Sequence, residues 1–337
     1  MSVDPQILAT LSRNERPGED ALRAALTAIL NGDARSEQVS ALLLGLEMIG
    51  LSAREVRIGT EVMRTNMIPV EIDGDVIDIV GTGGTGLHTL SISTATAIVS
   101  AAAGAKVAKH GNRAASSLTG TADTLSELGV NLALSPDRAA QVVEEVGLGF
   151  LFAPNHHPAM RHVAPARKAL GIRTLFNMLG PMSHPARARR MLLGVCDDGW
   201  RAPMAEALRD LGVDHVWVVH GQDGLDEITT TGPTYVTEVR GAEIREFTLS
   251  PQTYGFDLAS LDSLRGGQPS QNADALRDLL DGNASEYRNI VLLNAGAALM
   301  IAGIAETVPD GIDRAVQAID SMDARDTLAR LVAATNA

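Results

Sequence analysis

Five short apolar runs between residues 76 and 221 decide the class of fold. They read VIDIV, AKVAKHG, GFLFAP, RMLLGVC and HVWVVHG, and helical segments such as STATAIVSAAAG and PMAEALRDLG separate them. Runs of this length are buried strands, and strands that alternate with helices pair in parallel. YVTEVRGAEIREFTL then reads as a hairpin turned near RGAE, residues 240–243. The chain is 45% apolar but only 3% aromatic, so its core is built from Ala, Leu, Val and Ile. That suits helices packed on a parallel sheet better than an all-β sandwich. Residues 71–337 are therefore expected to form an α/β domain with a mostly parallel central sheet.

The first 70 residues read as helices only. EDALRAALTAIL carries apolar residues at helical spacing, SEQVSALLLGLEMIG is expected to be capped by Ser36 and ended by Gly50, and Ser52 to Glu55 fits a capping box. A small helical bundle follows, joined by a later helical segment near 156–185, with wide apolar faces suited to dimerisation. Three helices are expected to close the chain. The run IVLLNAGAALMIAGIA, residues 290–305, is too short to span a membrane and contains Asn294, so it reads as a buried helix.

A net charge of −13 argues against nucleic acid and anionic membranes as partners. Cys196 is the one cysteine, which leaves no disulfide framework and reads as a small buried hydrophobe. The N-terminus lacks a charged start followed by an apolar core, so a cytoplasmic protein is expected.

The first strand runs into GTGGTGLHTLSIST, residues 81–94. Backbone N–H groups and a helix dipole at a strand-to-helix turn favour an anion. Gly81 to Gly86 satisfies G-x-G-x-x-G literally. The next segment, however, is rich in hydroxyls, and no acidic residue ends the second strand, as a dinucleotide site requires. No G-K-[ST] follows, which excludes a P-loop. The second strand instead runs into KHGNRAASSLTGT, which carries cations, an amide and hydroxyls. Neighbouring strands would bring both segments into one crevice at their C-terminal ends. Thr89, Ser91, Ser93, Thr94, Ser116, Ser117 and Thr121 would supply hydroxyls there, and Lys109 and Arg113 charge. Such a crevice suits a highly phosphorylated ligand.

HGQDGLDEITTTG brings Asp223, Asp226 and Glu227 to another strand end, and adjacent carboxylates suit Mg²⁺ together with substrate phosphates. Six residues separate VWVV from DE, too many for the common phosphoribosyltransferase loop. His156, His157 and His162 lie at spacings unsuited to zinc. Arg161 and Arg167 do not share a helical face well. A single inward arginine would clamp a substrate carboxylate through two parallel hydrogen bonds. No general base stands out, and a reaction with a good leaving group needs none.

Taken together, DIVGTGG, KHGNRAASS, TADTLSELG, FLFAPNHHPAMRHVAPARKALGIRTLFNMLGP and VVHGQDGLDE resemble the anthranilate phosphoribosyltransferase family over nearly the whole chain. The resemblance implies a nucleoside phosphorylase/phosphoribosyltransferase-like fold and a homodimer acting in tryptophan biosynthesis. Its substrates would be anthranilate and 5-phosphoribosyl 1-diphosphate, with Mg²⁺ as cofactor. It assigns the phosphoribosyl diphosphate to Gly81, Gly84, Thr85, Thr89, Ser91, Ser93, Thr94, Lys109, Gly111, Asn112, Arg113, Ser116, Ser117 and Thr121. Anthranilate falls to Gly81, Asn112 and Arg167, and the metal to Ser93, Asp226 and Glu227. Two positions depart from the family pattern: Thr85 stands where it usually has Asp, and Ser91 where it usually has Asn. Losing the carboxylate implies retained activity with an altered diphosphate or Mg²⁺ dependence, to be read against Thr85→Asp in a Mg²⁺ titration. The competing readings are a pyrimidine nucleoside phosphorylase, phosphoribosyl transfer to another acceptor, and a nucleic-acid-binding paralogue without activity.

Overall fold

The computed structural model describes residues 3–114 and 118–337. Among these, a seven-stranded sheet has the order β3-β2-β1-β4-β5-β6-β7. The strands are β1 (Ile77–Gly81), β2 (Val107–Gly111), β3 (Leu148–Phe152), β4 (Arg190–Gly194), β5 (His215–Gly221), β6 (Thr234–Arg240) and β7 (Glu243–Leu249). The first five run parallel, while β5 pairs antiparallel with β6, and β6 with β7. All five apolar runs and the hairpin therefore form strands where the sequence places them. The hairpin turns over two residues, Gly241 and Ala242, with Arg240 paired to Glu243. Gly241 takes the positive φ, +59°, that a tight turn uses at its first central position.

Strand order reverses at β1. The chain steps outward through β2 and β3, then returns to place β4 on the other side of β1. Open α/β sheets bind ligands at such a switch point, outside the carboxyl ends of the strands. Gly81 and Gly194 are paired there as the last residues of β1 and β4.

One face of the sheet packs on the helices Ile92–Ala102 and Glu286–Ala302. The other faces a cluster shared by the N-terminal helices, Leu175–Met182 and Arg201–Asp210. The apolar run at 290–305 is a buried helix, as expected, and ends at Gly303. Asn294 is fully buried in it, and the reason lies at the site described below.

Two local expectations need correction. Ser36 is the first helical residue, not the cap; Arg35 caps, and its N–H is satisfied by the Gln38 side chain at 3.2 Å. Gly50 does end that helix, and the Ser52–Glu55 capping box forms. Four helices, not three, close the chain: Pro269–Leu280, Glu286–Ala302, Val308–Asp320 and Asp323–Thr335. The last two are split by Ser321 and Met322, where Met322 takes φ +71°. Neither glycine nor proline marks that break.

Candidate active site

A cleft of about 400 Å³ opens at the carboxyl ends of β1 and β2. Gly81, Gly84, Thr85, Thr89, Ser91, Ser93 and Thr94 line it from the glycine loop and the helix that follows. Lys109, Gly111, Asn112, Arg113 and Thr121 line it from β2 onward, and Arg167, Asp226 and Glu227 close it. Ser116 and Ser117 lie outside the described residues. The two crevice walls read from the sequence are thus one cavity.

The terminal glycines of β1 and β4 face a protein segment. A Cβ on Gly194 would lie 1.7 Å from the Asp226 carbonyl oxygen, and one on Gly81 would lie 2.2 Å from Asp226 Oδ2. Backbone cannot yield at the Gly194 contact, so β4 must end in glycine for the Asp226 segment to cross it, while Gly81 leaves room for the Asp226 carboxylate beside β1. Asp226 then accepts the Gly83 N–H at 2.7 Å and fixes the loop. The six residues between VWVV and DE are what let the chain turn back over the sheet. Asp223 stays in that turn, accepting from Thr229 and Thr231, and takes no part in the cleft.

Asn294 holds the same segment from below. Its Oδ1 accepts from Ile228 N at 3.0 Å, and its Nδ2 donates to Ile228 O at 2.7 Å and Ile290 O at 2.8 Å. Both backbone groups of Ile228 are thereby satisfied in the core. The one polar residue in the apolar run 290–305 thus fixes the height of the carboxylate pair.

Burial, with Asp226 beside it, pushes Glu227 up to about 8, and burial also raises Asp226. Lys109 is buried beneath the cleft, where its ammonium donates to the Ile79 carbonyl and to Ser93 Oγ at 3.2 Å. It therefore acts from below, and not as the free cation expected for phosphate. Two carboxylates that resist ionisation, with one ammonium opposite, make a pocket short of positive charge; a divalent cation fits it.

Several hydroxyls are already engaged. Thr85 Oγ1 accepts from Leu87 N at 3.3 Å, which leaves its proton free. Ser91 Oγ lies 2.7 Å from Thr124 Oγ1. Among the described residues, Thr94 Oγ1 is buried without a partner in the first turn of Ile92–Ala102. Arg113 pairs with Asp123 at 2.8 Å, and Asp123 also accepts from Ala114 N and Gly120 N, both at 3.0 Å. Asp123 ties Arg113 and Ala114 to Gly120 in this way.

Arg167 and Arg161 separate as their spacing requires. Arg161 is exposed and contacts His162. Arg167 reaches the cleft, where burial lowers its pKa, and among the described residues it meets no carboxylate. Phe176, Asn177, Gly180, Pro181, His88 and Gly267 also line the cleft and were not singled out from the sequence. The proline inside Leu175–Met182 and the Gly266-Gly267 pair were the available signals.

His156 and His157 are buried, and burial holds His157 down to about 4. His184, also buried, is held down to about 3, with Asp78 Oδ2 at 4.0 Å and Arg64, His156 and His157 nearby. Its Nδ1 accepts from Ala186 N and Ala188 N, and its Nε2 donates to Ala108 O at 2.6 Å. The neutral ring is thus the folded form, while the unfolded chain takes a proton near pH 6.5. Stability from His184 is complete above that pH and falls as pH drops towards 3. Urea unfolding should show about 2 kcal/mol lost to this ring between pH 7 and pH 5, and His184→Gln should flatten the slope. An unchanged slope would refute the assignment.

The profile described as "Glycosyl transferase family, a/b domain" matches residues 73–325, and "Glycosyl transferase family, helical bundle domain" matches residues 5–67. A relative from Parvibaculum lavamentivorans named anthranilate phosphoribosyltransferase is 53% identical over 330 residues, 98% of this chain and 97% of its own. The chain belongs to the anthranilate phosphoribosyltransferase family. The ordered motifs therefore identified the family correctly. The anthranilate phosphoribosyltransferase of Thermus thermophilus has the same fold, with a TM-score of 0.93 at 40% identity, over 98% of this chain and 99% of its own. That of Saccharomyces cerevisiae, solved in complex with PRPP and Mg, gives 0.89 at 26% identity, over 99% and 98%. No helix among the described residues is long and apolar enough to cross a membrane.

Proposed function

We propose that this protein transfers the phosphoribosyl group of 5-phosphoribosyl 1-diphosphate to anthranilate and releases diphosphate, a step of tryptophan biosynthesis. One observation carries the reading: a single cleft joins a hydroxyl- and N–H-rich wall, a buried carboxylate pair and an arginine with no internal carboxylate. The family membership supports it.

The glycine loop and the first turns of Ile92–Ala102 and Thr121–Glu127 bind the diphosphate and 5-phosphate through Gly84, Thr85, Thr89, Ser93, Thr94, Gly111, Asn112, Arg113 and Thr121. Their N–H groups take up charge as the bond from C1 to the diphosphate oxygen breaks. Asp226, Glu227 and Ser93 would hold Mg²⁺, which would supply charge neutralisation for the departing diphosphate. Arg167 and Asn112 hold the anthranilate carboxylate, with Gly81 where the two substrates meet. The amine nitrogen attacks C1 as the bond from C1 to the diphosphate oxygen breaks, and the proton it loses passes to the departing diphosphate or to solvent. Because the aromatic amine is a weak base, orientation matters more than its deprotonation.

Arg167→Gln should raise the KM for anthranilate about tenfold or more while leaving 5-phosphoribosyl 1-diphosphate binding by calorimetry unchanged. An unaltered anthranilate KM would remove Arg167 from the acceptor site. The homodimer would form on Ser36–Ile49, which exposes Leu44 and Met48 one turn apart. A sedimentation mass near one 35.4 kDa chain would exclude it.

A further inference from the structure

Ser91 lines the cleft, but its hydroxyl is occupied on the side away from it. Asn272 is buried at the start of Pro269–Leu280. Its Oδ1 accepts from Gly267 N at 3.1 Å, which fixes the amide orientation and turns Nδ2 to Ser91 Oγ at 3.4 Å. The Thr124 hydroxyl donates to Gly120 O at 3.4 Å. Ser91 Oγ lies 2.7 Å from Thr124 Oγ1. The result is one hydrogen-bonded chain from Asn272 through Ser91 and Thr124 to Gly120, and it ties the Ser91 hydroxyl into the protein.

The chain joins three pieces of the cleft rim. Ser91 caps Ile92–Ala102, the helix that presents Ser93 and Thr94. Gly120 caps Thr121–Glu127. Gly267 belongs to the rim that Thr119 also grips, donating to Gly267 O at 2.6 Å. Tyr287, fully buried, donates to the Ser91 carbonyl at 2.9 Å and holds the junction from behind. A Cβ on Gly266 would lie 2.5 Å from the Thr89 carbonyl oxygen, so this rim and the glycine loop sit in direct register.

We propose that Asn272 is a positioning residue of the donor site, acting through Ser91 to hold the two phosphate-facing helix starts in mutual register. This deepens the function proposed above and rests on it. The acceptor contacts, Arg167 among them, lie outside the chain.

The test uses the full-length protein with Asn272→Ala, Ser91→Ala and the double variant. Steady-state kinetics would vary each substrate in turn, with calorimetric titration of 5-phosphoribosyl 1-diphosphate and Mg²⁺. Each single variant should raise the donor KM about tenfold and leave the anthranilate KM within about twofold. The double variant should be no worse than the worse single one, because both break one chain. A donor KM within about twofold of the parent, or both KM values rising together, would overturn the proposal. Ser91→Ala keeps the Asn272–Gly267 bond, so it decides the matter even if Asn272→Ala fails to fold. Parent protein that binds no donor in the calorimeter would instead refute the donor-site reading, and the proposal with it.

Discussion

Gly194→Ala will abolish most of the activity. The added methyl would meet the backbone of Asp226, with 1.7 Å to its carbonyl oxygen and 2.3 Å to its carbonyl carbon. Neither partner is the loose end of a side chain, so the Asp226 segment must lift off the sheet. Overpacking of this kind costs about 1–3 kcal/mol in stability. The functional loss is larger, because Asp226 also holds Gly83 and stands next to Glu227. A displacement of about 1 Å at a reacting site costs about a hundredfold in rate. We expect kcat/KM to fall by at least that factor, with most of the protein still folded by circular dichroism. Gly81→Ala should do less, since its clash is with the Asp226 carboxylate, which can rotate. Equal kinetics for Gly194→Ala and the parent would show that this crossing does not set the site.

Asn294→Leu tests the same segment from inside the core. Leucine fits the otherwise apolar run 290–305, but it leaves Ile228 N and Ile228 O without partners. Each buried, unsatisfied group costs about 1–3 kcal/mol, so unfolding should lose roughly 2–5 kcal/mol. The variant should also lose most of its response to Mg²⁺, because Glu227 directly precedes the released residue. A stability loss with an unaltered Mg²⁺ response would confine Asn294 to the core. Asn294→Asp should fall between, since it keeps the acceptor for Ile228 N and loses the donor to Ile228 O.

These two residues mark how far the sequence could be read. The strands, the hairpin and both walls of the cleft were legible because each depends on a local signal: an apolar run, a turn, or a helix start rich in hydroxyls. Gly81 was legible as the start of an anion-binding turn, but the protein segment that crosses it was not. Asp226 reaches it from a distant part of the chain, and no periodicity records such a contact. Asn294 stood out only as the flaw in an apolar run. Lys109 was visible as a cation beside a phosphate loop, yet its burial and its bond to Ile79 depend on strand order. Ser91 looked like a phosphate ligand because its neighbours do; its partner Asn272 lies 181 residues away. Residue type and spacing thus showed which groups gather, and only packing showed which of them are tied into the protein.

The central claim is phosphoribosyl transfer to anthranilate at a metal-assisted site. The most direct measurement is the loss of anthranilate fluorescence with purified protein, 5-phosphoribosyl 1-diphosphate and Mg²⁺, against a control without metal. The account predicts a loss that needs both the donor and the metal. No loss in the complete mixture, or phosphorolysis of uridine or thymidine by the same protein, would contradict it.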